Sequence, residues 1–272
     1  MSDSNLPLIL DPEQLETVRG DNRLLLVDLC KESLYRQAHL PGAIYLNYSH
    51  IVTSCKPVHG LLPEISELTQ LFSALGIDSE THVVAYDDEG GGKAGRLLWT
   101  LALLGHRRCS LLDGGLHAWV NEGRRMEHPV TAVPAPATFT PHLDLELITD
   151  AAEILDNLQN PEQLLLDVRT PQEFSGEKKF SERGGHIPGA IHWEWTEALD
   201  PGRNLRLRPA EELRAALAAR GVTPDQEVVV YCQTHHRSSH TFVVLRHLGF
   251  PRVKGYPGSW SDWGNRTDTP VA

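Results

Sequence analysis

The sequence lacks two features that would direct its interpretation at once, an excess of basic residues and a long apolar run. Its 25 lysines and arginines stand against 36 aspartates and glutamates, which leaves a formal charge of -11. A surface that binds nucleic-acid phosphates needs the opposite sign, so we expect no nucleic-acid partner. No apolar stretch approaches the ~20 residues that cross a bilayer, so we expect no membrane partner.

Cysteine is scarce as well. Four cysteines in 272 residues are too few for a disulfide scaffold, and none forms a C-x-x-C pair. The N-terminus, Met-Ser-Asp-Ser-Asn, has neither the positive segment nor the apolar stretch of a secretory signal. A content of 40% hydrophobic and 22% charged residues is typical of globular proteins. Together these features predict a reduced protein of the cytoplasm.

What the sequence does contain is an internal repeat. Four segments recur in the same order and at a nearly constant offset, which indicates the duplication of a unit about half the chain long. The paired segments are 24–28 with 164–168, 39–44 with 186–191, 83–86 with 228–231, and 113–119 with 257–263. Residues 128–141 between the copies hold four prolines, which favour an extended linker. We therefore predict domains at 7–127 and 142–272.

Short apolar runs alternate with helical patterns inside each copy. Residues 24–27, 82–86 and 228–231 have the length and composition of buried parallel strands. Residues 64–75 and 211–217 carry apolar side chains at helical spacing, and a glycine follows each. Alternation of this kind predicts an α/β fold in which each domain has a mainly parallel sheet flanked by helices. Ligands of such folds bind at the carboxyl ends of the strands.

A cysteine directly follows the strand at 228–231. The loop reads Cys232-Gln233-Thr234-His235-His236-Arg237-Ser238, and a helical stretch is predicted at 239–248. The first amides of a helix lack internal partners and its dipole adds positive charge, so the loop predicts an anion site. A thiol there has its pKa lowered from ~8.5, and Arg237 adds a permanent positive charge. We predict that Cys232 is an ionised, exposed nucleophile facing an anionic substrate.

The first copy provides an internal control. Asp87 stands at the position of Cys232, and the residues after it are Asp88-Glu89-Gly90-Gly91-Gly92-Lys93. A carboxylate cannot act as a sulfur nucleophile, and three acidic residues repel an anion. The first copy is therefore predicted to be catalytically inactive.

At these residues the chain resembles the two-domain rhodanese (thiosulfate sulfurtransferase) family. The resemblance rests on Gly-His-Ile-Pro-Gly-Ala at 185–190, the strand, loop and helix at 228–248, and the tail at 263–271. An aspartate at the cysteine position of the N-terminal domain is usual in this family. The loop Cys-Gln-Thr-His-His-Arg-Ser is similar to that of bacterial thiosulfate:cyanide sulfurtransferases.

The resemblance implies two tandem rhodanese-like domains and transfer of sulfur from thiosulfate to cyanide through a persulfide on Cys232. It implies no cofactor, and a protein or thiol is a further candidate acceptor. The residues expected to bind the small anionic substrate, through their backbone amides and the charge of Arg237, are Gln233, Thr234, His235, His236, Arg237 and Ser238.

Three alternative activities stay open at this point: a mercaptopyruvate sulfurtransferase, a phosphatase, and a persulfide carrier that serves a partner protein. Cysteine phosphatases of related fold place five residues between cysteine and arginine, whereas four lie between Cys232 and Arg237. The tighter ring favours a terminal sulfur over a tetrahedral phosphate. No sequence feature separates carrier from enzyme, because the same persulfide serves both.

Several other polar residues have a structural and a catalytic interpretation. Cys232, His235, His236 and His240 offer zinc-type ligands, but four ligands within nine residues are too crowded, so we expect no metal. The rings of His235 and His236 are instead expected to shape the mouth of the site. Residues repeated in both copies are expected to be structural, whereas residues of the second copy alone are candidates for the rim. The first group is Asp28, Asp167, His39 and His186, and the second is Arg169 and Arg183.

Overall fold

The apolar runs of the sequence form the central strands of two parallel sheets. The computed structural model of the protein describes residues 6–128 and 131–272. In chain order the strands are β1 (Ile9–Leu10), β2 (Leu24–Asp28), β3 (Ile44–Tyr45), β4 (Thr53–Cys55), β5 (Val58–Leu61), β6 (His82–Tyr86), β7 (Cys109–Leu112), β8 (Gln163–Asp167), β9 (Ile191–His192), β10 (Leu199–Asp200), β11 (Arg206–Leu207), β12 (Glu227–Tyr231) and β13 (Val253–Gly255).

The helices alternate with these strands as the sequence predicts. They are α1 (Pro12–Val18), α2 (Glu32–Gln37), α3 (Ile65–Ala74), α4 (Gly92–Leu103), α5 (Gly115–Asn121), α6 (Ala151–Asp156), α7 (Pro171–Phe174), α8 (Ala210–Ala218), α9 (Arg237–His247) and α10 (Ser259–Trp263). Helix α9 begins two residues earlier than predicted, at the arginine of the loop. Among the described residues no helix is both long and apolar enough to cross a membrane.

The first unit contains a five-stranded sheet in the order β1-β7-β6-β2-β3. All its strand pairs are parallel. Strands β2 and β6 are almost completely buried, because helices cover both faces of a parallel sheet. One side of the core is built around Leu26, Val84, Leu112 and Trp119. The predicted α/β layering is therefore confirmed for this unit.

The second unit contains a four-stranded parallel sheet in the order β13-β12-β8-β9. Its central strand β12 pairs with β8 over its whole length, from Glu227 opposite Gln163 to Tyr231 opposite Asp167. This register brings the ends of β12 and β8 to the same sheet edge. The residues that follow the two strands consequently lie close together.

Two short segments belong to the unit that does not contain their sequence neighbours. The antiparallel pair β4–β5 lies in the first half of the sequence, yet residues Val52–Leu62 are part of the second unit. Conversely, Asp200–Leu207 is part of the first unit, where Arg206 forms ion pairs with Asp11, Glu13 and Glu122. Neither exchange follows from the repeat pattern.

The described residues of the proline-rich stretch form no helix or strand, and they pack against the first unit. Pro129 and Val130 lie outside the described residues, and 131–143 contains no helix or strand. The amide of Ala137 donates to the Ser73 carbonyl, and the amide of His142 donates to that of Leu104, each at 2.9 Å. The ring of Phe139 packs edge-on against Phe72. These contacts fix the stretch to the first unit.

Candidate active site

The predicted nucleophile lies at the carboxyl end of β12. Cys232 is the first residue after this strand, and the loop ends at Arg237, the first residue of α9. Contrary to the exposed thiol expected from the sequence, Cys232 is completely buried, because its loop folds around it and α10 packs against the loop backbone. The Ser238 hydroxyl lies 3.5 Å from the Cys232 sulfur and donates to it.

The surroundings of the sulfur favour its ionised form. Burial opposes ionisation and raises the pKa of the Cys232 thiol, but three kinds of neighbouring group lower the pKa by more. They are the positive charge of Arg237, the hydroxyl of Ser238, and the backbone amides of Ser238 and Thr234. The resulting pKa is about 7, lowered from an ordinary value of 9.0. The lowering predicted from the strand-loop-helix pattern is therefore present.

Arg237 is held by a carboxylate that the sequence did not single out. Its Nη1 and Nη2 atoms donate to the two carboxylate oxygens of Glu173 at 2.7 and 2.8 Å, and its positive charge stabilises the Cys232 thiolate. Burial would raise the pKa of Glu173, but Arg237 and Thr170 lower it to about 2. The guanidinium thus bridges two anions, and this fixes its orientation at the sulfur.

Helix α10 fixes the backbone of the loop from the other side. The amides of Trp260 and Ser261 donate to the carbonyls of Cys232 and Gln233, each at 2.9 Å. The Ser259 hydroxyl accepts from the amides of Cys232 and His235, at 3.2 and 3.1 Å. Because the amide of His235 is committed to Ser259, it is not one of the donors that face the sulfur.

The remaining loop side chains occupy distinct places. The ring of His235, expected at the mouth, is completely buried, and its Nδ1 lies 2.7 Å from the Ser238 hydroxyl. Because that hydroxyl directs its proton to the sulfur, Nδ1 is the donor of this bond. His236 is half-buried directly before α9, and Gln233 donates through Nε2 to Ser181. Throughout 6–128 and 131–272, no three acidic, histidine or cysteine side chains are arranged to hold a metal.

Comparison with known proteins assigns the architecture to a family. A model of the rhodanese-like domain matches residues 11–122 and 150–266. The chain belongs to the rhodanese family. A thiosulfate sulfurtransferase of Azotobacter vinelandii is 43% identical over 270 residues, with 98% of each chain covered.

Other rhodanese relatives carry different names. A sulfur carrier protein of Thermus thermophilus is 35% identical, with 88% of this chain and 87% of the relative covered. A 3-mercaptopyruvate sulfurtransferase of Escherichia coli is 30% identical, with 87% and 84% covered. The crystal structure of a 3-mercaptopyruvate sulfurtransferase of Escherichia coli superimposes with a TM-score of 0.83 at 24% identity, covering 93% of this chain and 99% of that one. This structural likeness confirms the rhodanese fold.

The first rhodanese unit fills its own anion site. The Asp87 carboxylate accepts from the amides of Glu89, Gly91 and Ala94 at 2.8 to 3.0 Å. Burial and the charge of Glu89 raise the pKa of Asp87, and the three amide bonds oppose that shift. The Asp87 side chain thus occupies three loop amides that would otherwise be available to a substrate anion, and Asp88 and Glu89 follow it in the loop.

The ion pair at the sulfur has no counterpart in the first rhodanese unit. Alignment of the repeats puts Gly92 at the position of Arg237 and Leu34 at the position of Glu173. The hydrogen bonds of His39 and His186 to the carbonyls of Tyr35 and Phe174 support this alignment. Both members of the pair are therefore absent together, along with the thiol.

The repeated polar residues are structural in both units, as expected. Asp28 accepts from the hydroxyl of Tyr86. The ring of His39 stacks on Tyr35, and the ring of His186 stacks on Phe174. The two candidates for the rim do not lie there. Arg169 is buried against Asp167 and the face of Trp260, and Arg183 binds the backbone of the C-terminal tail at Trp263 and Thr269.

The other thiols are less suited to nucleophilic chemistry. Burial and the neighbouring Asp28 raise the pKa of Cys30, and burial raises the pKa of Cys109 to about 12. Cys55 is exposed on β4. Cys232 alone among the four combines a lowered pKa with a ring of donors.

Proposed function

We propose that the protein is a thiosulfate sulfurtransferase that passes sulfur to cyanide or another thiophilic acceptor through a persulfide on Cys232. The observation that carries this proposal is the buried Cys232 thiol, whose pKa is lowered to about 7 by Arg237 and the loop donors. The full-length likeness to a relative named thiosulfate sulfurtransferase supports the same substrate. Of the loop residues, Arg237, Ser238 and the Thr234 amide have the clearest substrate-binding role.

The first half-reaction transfers one sulfur atom to the enzyme. The Cys232 thiolate attacks the outer sulfur of thiosulfate, the sulfur–sulfur bond of thiosulfate breaks, and sulfite leaves with the bonding electron pair. The persulfide that forms keeps one negative charge on its outer sulfur. The donors that stabilise the thiolate also stabilise this charge.

The second half-reaction regenerates the thiolate. Cyanide attacks the outer sulfur of the persulfide, thiocyanate leaves, and the electron pair of the broken bond returns to Cys232. No electrons are exchanged with a redox group in either step, so the cycle needs no cofactor. The fixed guanidinium of Arg237 serves both half-reactions, because the cysteine sulfur is anionic at the start and end of the cycle.

Two alternatives rest on specific observations. The relatives named 3-mercaptopyruvate sulfurtransferase and sulfur carrier protein align with most of this chain, at 30% and 35% identity. Either would use the same persulfide, with mercaptopyruvate as donor or with a partner protein as acceptor. The higher identity to the thiosulfate enzyme favours the main proposal. We further propose that residues 7–127 form an inactive domain, and that the enzyme works in the reducing cytoplasm, where free thiols persist.

Intact-mass measurement tests the proposal directly. The purified protein treated with thiosulfate is expected to gain the mass of one sulfur atom, and added cyanide is expected to remove it and release thiocyanate. Cys232→Ser is expected to show neither change, whereas Cys109→Ser, a buried thiol of the first unit, is expected to keep both.

A wild-type protein that gains no sulfur from thiosulfate but gains it from mercaptopyruvate would replace the main proposal by the first alternative. If a protein thiol, but not cyanide, removes the gained sulfur, the alternative of a sulfur carrier would replace the main proposal. Sulfur gain by Cys232→Ser would refute the persulfide mechanism.

A further inference from the structure

One peptide group of the active-site loop is contacted on both of its polar sides. The peptide between Thr234 and His235 presents its N–H to the Ser259 hydroxyl at 3.1 Å. Its carbonyl oxygen faces Gly60 of β5, where a Cβ atom would come within 2.0 Å of it. The group is thus confined between α10 and the β4–β5 hairpin, both of which belong to the second unit.

This peptide needs an external constraint because the loop around it is strained. His235 has a φ of +53°, in the left-handed region that non-glycine residues rarely adopt. Such a conformation costs on the order of 1 kcal/mol or more and persists only where neighbouring groups impose it. Ser259 is itself left-handed, with a φ of +48°. The corresponding position of the first unit is Gly115, with a φ of +49°. The second unit therefore has a strained serine where the first has glycine, and the hydroxyl of this serine holds the loop.

The hairpin is tied to the same helix that holds the loop. The Ser261 hydroxyl accepts from the amide of His59 at 3.0 Å, and Ser261 is buried on α10 two residues after Ser259. Helix α10 thus holds the loop through Ser259 and the hairpin through Ser261. Gly60 allows the two to meet, because any side chain at this position would strike the Thr234 backbone.

We infer that Gly60 is a positioning residue for the sulfur-binding loop, and that the hairpin from the first half of the sequence sets the ionisation of Cys232 through the backbone of Thr234. The inference rests on the proposed role of Cys232 as nucleophile. The link spans one residue: the confined peptide begins at the carbonyl of Thr234, and the amide of the same residue, in the preceding peptide, is one of the donors that stabilise the thiolate. A hairpin that moves off the loop releases this residue and weakens the donor ring.

Gly60→Ala tests the inference against a matched control, Gly221→Ala. Gly60 and Gly221 have φ values of +76° and +77°, so alanine meets an unfavourable left-handed φ at both. Nothing lies within 4 Å of a Cβ at Gly221, which follows α8. A difference between the two variants therefore reports more than the left-handed φ, and of the two positions Gly60 alone has the contact with Thr234.

The primary measurement is the pH dependence of alkylation of Cys232 by iodoacetamide, followed by mass spectrometry in the full chain. Gly60→Ala is expected to raise the apparent pKa of Cys232 and to lower the alkylation rate near neutral pH several-fold. The kcat for thiosulfate is expected to fall in parallel and to recover partly at higher pH. Gly221→Ala is expected to keep the wild-type pH profile.

The outcomes separate this inference from the proposed function. Alkylation needs no sulfur transfer, so an unshifted profile in Gly60→Ala overturns the inference even if thiosulfate turnover is intact. A shifted profile supports it even if the wild type transfers no sulfur, which would count against the proposed function alone. Should Gly60→Ala fail to fold, Ser261→Ala releases the hairpin without a steric clash. The same upward shift is then expected, and an unchanged profile overturns the inference.

Discussion

Replacing Arg237 by alanine measures how strongly the loop ionises its thiol. Arg237 is the largest influence that lowers the pKa of Cys232 to about 7, against burial, which raises it. At that pKa about half of the thiol is ionised near pH 7. Without the guanidinium, burial dominates and the pKa returns to at least its ordinary 9.0, where only about 1% is ionised. We expect a roughly fifty-fold slower alkylation near pH 7, and a loss in kcat/KM for thiosulfate of at least about tenfold.

The ion pair with Glu173 complicates this variant in a predictable way. Arg237→Ala leaves a carboxylate that is 2% exposed without its guanidinium partner. Removing one member of a buried ion pair typically costs about 3 to 5 kcal/mol of folding free energy. The double variant Arg237→Ala/Glu173→Gln removes the orphaned charge and is expected to be more stable than Arg237→Ala. It is expected to keep the raised pKa of Cys232, because the positive charge is still absent.

The assay is the pH profile of Cys232 alkylation, with denaturant unfolding of each variant alongside. Arg237→Lys keeps the charge but not the bidentate geometry, so its pKa is expected to lie between those of the wild type and Arg237→Ala. The reasoning is refuted if Arg237→Ala and the wild type show the same apparent pKa. It is also refuted if the double variant regains the wild-type profile, because stability and not charge would then control the thiol.

Three further predictions concern the neighbours of Cys232. Ser238→Ala removes a hydroxyl donor 3.5 Å from the sulfur and is expected to raise the pKa of Cys232 by roughly one unit, measured by the same alkylation profile; no shift contradicts the donor role. The pKa of Glu173 is lowered from 4.5 to about 2, so its ionisation contributes about 3 kcal/mol above pH 4.5 that is lost as the pH falls towards 2. Glu173→Gln is therefore expected to reduce the pH dependence of the free energy of unfolding in this window. An unchanged pH dependence would show that the ionisation of Glu173 is not linked to folding. Asp87→Cys in a Cys232→Ser background is expected to transfer little sulfur, since the arginine is missing and Lys93 of this loop is already paired with Asp88 and Glu89; recovery of most of the wild-type rate would contradict this.

Local sequence patterns determined the fold class and the position of the nucleophile. Strands β2, β6 and β12 lie where short apolar runs predict them, because a strand buried on both faces needs an uninterrupted apolar stretch. The duplication placed Asp87 at the position of Cys232, so a comparison within one chain distinguished the unit that keeps its thiol from the one that lost it. The lowered pKa of Cys232 also follows from a strand, a loop and a helix N-terminus in sequence.

The partners of the loop depended on contacts between segments far apart in the sequence. Glu173 belongs to a capping-box pattern, Thr-x-x-Glu, which predicts the start of α7 and nothing about an arginine 64 residues further on. The serine at 259 against glycine at 115 was the available signal for the hydroxyl that holds the loop, because a non-glycine residue in a left-handed conformation needs a compensating contact. This difference between the copies could be interpreted only once the left-handed backbone conformation at both positions was known.

The burial of Cys232 and the exchange of the hairpin were decided by tertiary structure alone. Exposure depends on what packs over a residue, and α10, which follows the loop by more than twenty residues, packs on the backbone of Cys232 and Gln233. The repeat assigned residues 52–62 to the first copy, since sequence proximity is the only evidence that a repeat offers. Their place beside Thr234 follows from a backbone approach that only Gly60 permits, and such an approach is visible only once the chain is folded.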